Sequence, residues 1–517
     1  MELGEILLNK KLASKDDIEK ALELQRSSGG RLGDALIALQ VITEEQLAGI
    51  LNEPPKAPRN VDETGIPSGE IRNLLLKIMS NLELQTPSRM AEVIKLPNPM
   101  VQVLLEECVA LKMIEVLGTT GDGNMISELR YSLTALGKER ANEAMEQNLY
   151  VGPAPVNLES YAYQIRAQKI TNERVNRAQV QTAFNGLVIA DQFIENIGPA
   201  INSGRSILLY GPPGNGKTTV AEAIAAIFCN VVYIPYCVQI DGQIIKIFDP
   251  SIHVEIKQES KAEGVSIRRD HVDRRWVPCQ RPVVITGGEL TLEMLDLKYN
   301  PTARFYEAPL HIKALGGTFI IDDFGRQLVS PEELLNRWIV PLQSRVDFLK
   351  LHTGKSFEIP FDELIIFSTN MEPNDLMDPA FLRRIPYKLE TVGPDSEQFS
   401  EIFRAVGEKA GLNVDQKSID LVVEALSSRG NGDLACYQPG FIIDQILCAC
   451  KYEHIPPVIR DDLINRAIGN LFAEPTTKWD RAGVKSQQAE IANALDCDLN
   501  DEAESEFPEA PRSAHAS

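Results

Sequence analysis

Apolar positions at the front of the chain recur at an offset of 29 residues: Leu3-Gly4-Glu5-Ile6-Leu7 returns as Leu32-Gly33-Asp34-Ala35-Leu36, and Ile18 and Leu22 return as Leu47 and Leu51. Ser14 and Thr43 hold matching positions, and Asp17 and Gln46 complete S/T-x-x-[DEQ] boxes after them. Each unit therefore predicts a short helix, a capped turn and an amphipathic helix. Residues 53–68 are polar and Pro-rich, a linker. Helical spacing resumes over Ile71–Met79, restarts at Thr86-Pro87-Ser88, and runs from Pro99, at N1, to Ala110. Met113–Leu117, the Gly-rich turn Gly121-Asp122-Gly123 and Leu129–Leu133 predict a β-hairpin, and Thr134 caps a helix beginning at Leu136. A Pro-containing link follows at 152–155. Further on, short continuous apolar runs at 206–210, 317–323 and 364–370 predict strands buried on both faces. After Val392-Gly393-Pro394 the pattern is helical through Leu471, and from Ala473 onward it turns polar and ends acidic.

This pattern divides the chain into a tandem-repeat helical domain (1–54), a linker (55–68), a domain of three helices and a hairpin (69–148) and a linker or helix (149–178). An α/β core with a parallel sheet between helices (179–392), a helical lid (393–472) and an acidic, disordered tail (473–517) complete it. With 52 Lys+Arg against 73 Asp+Glu the formal net charge is −21, which disfavours general binding to nucleic acid or anionic membrane. No run approaches the roughly 18 apolar residues that cross a bilayer, and the first residues meet charges too early for a secretory signal. Eight cysteines show neither zinc spacing nor a disulfide framework. A cytoplasmic protein with no membrane insertion is expected.

The chemistry concentrates at Gly211-Pro212-Pro213-Gly214-Asn215-Gly216-Lys217-Thr218-Thr219, a full G-x-x-x-x-G-K-[ST] match between the apolar run 206–210 and a helix expected over Val220–Ile227. Glycines let backbone N–H groups wrap phosphates at a helix N-terminus; Lys217 would reach the β- and γ-phosphates of ATP, and Thr218 would bind Mg²⁺. The run Gly317-Thr-Phe-Ile-Ile-Asp322-Asp323 ends in two carboxylates, of which Asp322 would hold Mg²⁺ directly or through water. Leu364–Asn370 ends in a polar tip that a parallel sheet would turn toward the ligand crevice.

Together with Asp378-Pro-Ala-Phe-Leu-Arg383-Arg384, these motifs resemble the AAA+ ATPases over residues 180–470. The resemblance implies a homo-oligomeric ring, usually a hexamer, with ATP held between neighbours. It implies that Asp323 is the base, that Asn370 orients the attacking water as sensor 1, and that Arg383 or Arg384 is the finger reaching the neighbour's γ-phosphate. Gly186 and Leu187, within Phe184–Val188, stand where that family contacts adenine. The front repeat resembles the N-terminal domain of type II secretion and type IV pilus assembly ATPases, some of which bind cyclic di-GMP through Arg-Leu-Gly motifs ending in Gln. Here the second copy keeps Arg31-Leu32-Gly33 but has Pro54 at the Gln position. The first keeps Gln25 but has Glu2 at the Arg position, and Lys11 and Gln40 replace internal glycines. Residues 69–148 resemble a winged helix whose third helix carries Glu106 and Glu107 and no base-reading Arg, which favours a protein contact over DNA.

Three departures stand out. Asp323 replaces the family's Glu, so the base sits about 1 Å back, a displacement that can cost ~100-fold in rate. Leu434–Phe441 carries no clear Gly-x-Arg sensor 2. The span from Gln239 to Ala308 is long, with no aromatic-hydrophobic-Gly pore loop; it contains a strand-like run over Asp241–Asp249 and a basic-aromatic cluster of Arg268, Arg269, Arg274, Arg275 and Trp276. That cluster reads as an inter-subunit salt-bridge face or the underside of an insertion hairpin, and otherwise as a contact for nucleic acid or an acidic partner. The expectation is an ATP hydrolase that remodels or regulates a protein client, with a link to secretion or pilus machinery. The alternatives are a nucleotide-gated switch with little turnover and a DNA-acting ATPase.

Overall fold

The structure, a computed structural model, describes residues 4, 7–8, 11–28, 32–43, 46–47, 53–119, 128–257, 272–429 and 433–472. The chain divides between Val392 and Gly393 into two compact units.

At the heart of the first unit lies a sheet of β1 (Ile207–Tyr210), β2 (Val283–Thr286), β3 (Thr318–Ile321), β4 (Leu364–Thr369) and β5 (Tyr387–Glu390). Its order is β5-β1-β4-β3-β2, and every pairing is parallel. β3 and β4 are buried along their whole length, which is why they read as unbroken apolar runs. One face is covered by helices Asp191–Ser203 and Lys217–Ala226, whose Ile197, Ile201, Val220 and Ile224 pack on Leu209, Ile320 and Ile366. Helix Pro331–Ser344 covers the other, setting Leu334, Leu335 and Trp338 on Phe319, Ile365 and Phe367. A hairpin, Val346–Lys350 with Ser356–Pro360, stands between that helix and β4.

The long span from Gln239 to Ala308 contains β2 and, among the described residues, sets short strands on both sides of it. Cys237–Ile240 and Gln243–Lys246 pair about Asp241-Gly242, whose φ values of 52° and 73° make the primed turn that Asp-Gly favours. The run 241–249 is therefore not one strand; it opens on a turn. The hairpin belongs to a five-stranded mixed sheet with Val156–Asn157, Phe305–Glu307 and Lys298–Asn300, while Val232–Pro235 pairs with Trp276–Cys279. Of the basic-aromatic cluster, Arg275 and Trp276 turn inward. Arg275 is buried, paired with Asp273 at 2.8 Å and donating to the Pro155 carbonyl, and Trp276 packs on Tyr161. Arg274 is exposed, and Arg268 and Arg269 lie outside the described residues.

In the front repeat, Ser14 and Asp17 hydrogen-bond each other's backbone N–H groups, and Thr43 and Gln46 do the same. Leu7 and Leu36 share one small core, and Lys11 and Gln40 both adopt left-handed backbones at φ 55° and 57°. Both positions thus hold a backbone conformation that suits glycine better than an L side chain. Glu2 and Arg31 lie outside the described residues. Helices Ser68–Leu82, Pro87–Ile94 and Asn98–Ala110 are followed by antiparallel strands Ile114–Thr119 and Leu129–Leu133 and by helix Ala135–Gln147, where Thr134 Oγ1 accepts from the Gly137 N–H. The turn at 121–123 lies outside the described residues.

The second unit contains, among the described residues, helices Ser396–Lys409, Gln416–Ser427, Tyr437–Tyr452 and Asp461–Leu471 around Phe399, Phe403, Ile442, Ile446 and Ile464. The acidic tail, 473–517, lies outside the described residues. No described helix is long and apolar enough to cross a membrane.

Candidate functional site

The phosphate loop bridges β1 and the helix that begins at Lys217. Gly211, Gly214 and Gly216 have φ of 132°, 80° and 74°, a region that L side chains avoid. A Cβ on Gly211 would also lie 2.3 Å from the Thr391 carbonyl oxygen, because Thr391 N–H donates to Tyr210 O and draws the chain after β5 against the loop. Pro212, Pro213, Gly214 and Thr219 face solvent, whereas Asn215 and Lys217 are buried. Lys217 Nζ donates to the Gly211 and Pro212 carbonyls at 2.9 and 2.8 Å. Burial lowers its pKa, with Asp322 and Asp323 opposing the shift and Arg326 adding to it.

Because β4 lies between β1 and β3, the loop after β1, the carboxylates after β3 and Asn370 after β4 meet at one edge of the sheet. Thr218 Oγ1 donates to Asp322 Oδ2 at 2.6 Å, and Asn370 Nδ2 donates to Asp323 Oδ1 at 3.2 Å. Asp323 has φ of +48°. Its turn is tied to β4 by Phe324 N–H on Ser368 O and by Thr369 Oγ1 on Phe324 O, both at 2.7 Å. Sequence reasoning missed Gln327. Its Nε2 donates to the carbonyls of Gly287, Asp322 and Asp323, and its Oε1 accepts from Gly325 N–H, so one amide clamps the turn. No periodicity or motif marks that glutamine.

Arg383 and Arg384 are placed elsewhere. They follow helix Pro379–Leu382, and Ser206 Oγ donates to Arg384 O at the entry of β1. The four residues of β1, about 13 Å of strand at ~3.3 Å each, separate them from the phosphate loop of their own chain. Arg383 is exposed; Arg384 Nη1 donates to Ala380 O, and its guanidinium lies 5.6 Å from the Phe381 ring centre. Gly186 is exposed with φ of 90° and open space at its Cβ position, and Leu187 is half-buried. Phe184, just before them, packs with Val220 and Ile224 of the helix that begins at Lys217, which fixes the segment beside the phosphate loop.

The residues present fit a nucleotide and Mg²⁺. The left-handed glycines open a backbone cradle, and Thr218 and Asp322 set two oxygens together at its mouth. No described cluster of three or more His, Cys, Asp or Glu could hold a metal alone, so phosphate oxygens and water would supply the rest of a Mg²⁺ shell.

A family model described as ATPase family associated with various cellular activities (AAA) matches residues 207–249, and one described as Domain of unknown function (DUF8689) matches residues 395–470. The chain is similar to the proteasome-activating nucleotidase of Methanocaldococcus jannaschii, 27% identical over 175 residues that cover 32% of this chain and 38% of the relative. The corresponding protein of Methanospirillum hungatei is 28% identical over 170 residues, covering 31% and 38%. The chain therefore spans well under half the length of the curated relatives it matches. Among solved structures, NtrX from Brucella abortus is 17% identical with a TM-score of 0.35, covering 58% of this chain and 59% of that one. A RuvB mutant from Thermotoga maritima is 15% identical with a TM-score of 0.31, covering 64% and 85%. Superpositions this loose add no weight. The family match and the phosphate loop on a parallel sheet of order β5-β1-β4-β3-β2 give the core a P-loop AAA+ fold.

Proposed function

We propose that the chain binds ATP with Mg²⁺, hydrolyses it at sites completed between neighbouring copies in a ring, and uses the cycle to remodel or regulate a protein client. The Thr218–Asp322 contact of 2.6 Å beside the Asp323–Asn370 pair carries this reading. Lys217 would neutralise the β- and γ-phosphates, and Thr218 and Asp322 would hold Mg²⁺ directly or through water. Asp323 would take a proton from a water that Asn370 orients. Arg383 or Arg384 would come from the next copy, since β1 holds both away from the site of their own chain. Gly186 and Leu187 would meet the adenine, and the protein would work in the cytoplasm.

The front repeat is assigned to docking on a protein rather than to cyclic di-GMP, because Glu2 and Pro54 stand where the ligand motif has Arg and Gln. Its resemblance to secretion and pilus ATPases supports a client in that machinery. A second reading, a nucleotide-gated switch, is favoured by Asp323 itself: the shorter carboxylate sits on a left-handed backbone and is engaged by Asn370.

ATPase activity per subunit across a wide range of protein concentration tests both. A site completed by a neighbour predicts activity that climbs and saturates as copies assemble. Activity near zero with ATP still bound would move the protein to the switch reading. Activity flat from fully dispersed to fully assembled protein would sink the neighbour-completed site.

A further inference from the structure

The edge of the sheet opposite the phosphate loop gathers four guanidinium groups, those of Arg205, Arg345, Arg383 and Arg384, around one cavity of about 390 Å³. Among the described residues none of the four pairs with a carboxylate. Arg345 donates to the backbone carbonyls of Gly204 and Glu363, Arg384 to that of Ala380, and Arg205 and Arg383 are exposed. The carboxyls that Arg345 senses, Asp362 and Glu363, are buried, and burial pushes both toward the neutral form. Both Glu363 carboxyl oxygens lack a hydrogen-bond partner, as a charged carboxylate would not. In a chain of net charge −21, this concentration of unneutralised guanidinium is an anion site in waiting.

The lining narrows the anion. Guanidinium forks match phosphate oxygens in pairs. No aromatic side chain lines the cavity, and Leu342 is its apolar member, so a nucleobase finds no ring to stack on. The fitting ligand is a polyphosphate whose base is held elsewhere. The chain's own phosphate loop is such a holder, with Lys217 and the exposed Arg326 as the cations near it, and the cavity's four arginines lie beyond β1. One copy therefore carries a phosphate cradle with Lys217 and Arg326 near it, and a separate cavity of four arginines with no base platform. A second copy joins the two.

We propose that Arg205 acts with Arg383 and Arg384 in receiving the triphosphate of a nucleotide seated on the phosphate loop of a second copy, while Arg345, fixed by its two carbonyls, forms the cavity wall. This rests on the neighbour-completed site proposed above and extends it to a residue just before β1, far in sequence from the Arg383-Arg384 pair.

The test uses full-length protein with Mg²⁺ and ATP and the variants R205A, R205K, R383A, R384A and K217A. The Arg205 side chain makes no hydrogen bond among the described residues, so truncation uncovers no buried partner; unchanged thermal unfolding of R205A checks this, and R205K serves if it fails. R205A is expected to bind a fluorescent ATP analogue as the parent does and to lose turnover at least roughly tenfold, with R205K between the two. Mixing R205A, which binds ATP, with K217A, which offers an intact cavity, should raise turnover several-fold above either alone. If R205A keeps the parent's turnover while R383A or R384A loses it, the Arg205 assignment is overturned and the neighbour-completed site survives. If none of the three arginine variants loses turnover, the neighbour-completed site falls as well. Loss in R205A that K217A does not rescue would place the action of Arg205 within its own chain and overturn the proposal. So would tripolyphosphate binding to K217A that disappears in the K217A/R205A double variant without any loss of turnover in R205A, which marks a site for free polyanion.

Discussion

Asp323 sits in a conformation that costs an L-residue roughly 1–2 kcal/mol, and four contacts keep it there: its N–H on Asp322 Oδ1, Asn370 on its carboxylate, the Gln327 amide on its carbonyl, and the Arg326 N–H on the same carbonyl. Asparagine tolerates the same left-handed backbone, so D323N tests the carboxylate without testing the fold. ATP-analogue binding should stay close to that of the parent, and turnover should fall roughly 100-fold or more, the range for losing a general base. Phosphate release and equilibrium binding, measured side by side, decide it; parent-like turnover in D323N would remove Asp323 from the chemistry. At this scale the sequence was informative where residue type and spacing together define a geometry. The glycines of 211–216, Lys217, Thr218 and Asp322 could be named because a phosphate cradle needs those types at that spacing. Gln327 could not, because its value comes from four backbone groups that only the folded turn brings within reach of one amide.

Between elements, the clearest device is the joint at Asp347. This buried carboxylate, on the hairpin strand Val346–Lys350, takes both Arg337 nitrogens at 2.7 and 2.8 Å from helix Pro331–Ser344, and His311 Nε2–H at 2.8 Å. Burial alone would raise its pKa, but the His311 and Arg337 hydrogen bonds outweigh burial and hold it at about 2. A lowered carboxyl pKa contributes stability that is complete above the ordinary value of 3.8 and is lost as the pH falls through about 2. D347N leaves Arg337 with only the exposed Asp296, 3.5 Å away, as a counter-charge, at a cost of about 2 kcal/mol near neutral pH. Denaturant titrations of parent and variant should differ most at pH 7 and converge toward pH 2; a constant difference would deny the ion pair its role. This hairpin escaped the sequence reading because its side chains alternate between core and solvent over five residues, with Phe348 outward, beside far stronger apolar runs. β2 is faint for the same reason: an edge strand behind Pro282 that buries every second residue. Asp241-Gly242 did carry a hairpin signal, but the apolar residues after it invited a single longer strand.

Across the whole chain, the division at Val392 marks where one core ends and another begins. The buried residues of the second unit, from Phe399 through Ile468, pack on one another, and the partly buried ones around them run from Val406 to Phe472. Helix Ser396–Lys409 opens on a complete capping box, in which Asp395 accepts from Gln398 N–H and the Gln398 side chain accepts from Asp395 N–H. A local start signal and a closed core are what an autonomous domain of this size needs. Residues 393–472 expressed alone should therefore be helical and unfold in one cooperative thermal transition. Circular dichroism at 222 nm through a thermal ramp, with dispersed amide proton signals as the second readout, checks this. A gradual, non-cooperative loss of ellipticity would mean that the helices depend on the rest of the chain for their packing, and that the boundary legible at Gly393-Pro394 separates two parts of one folding unit.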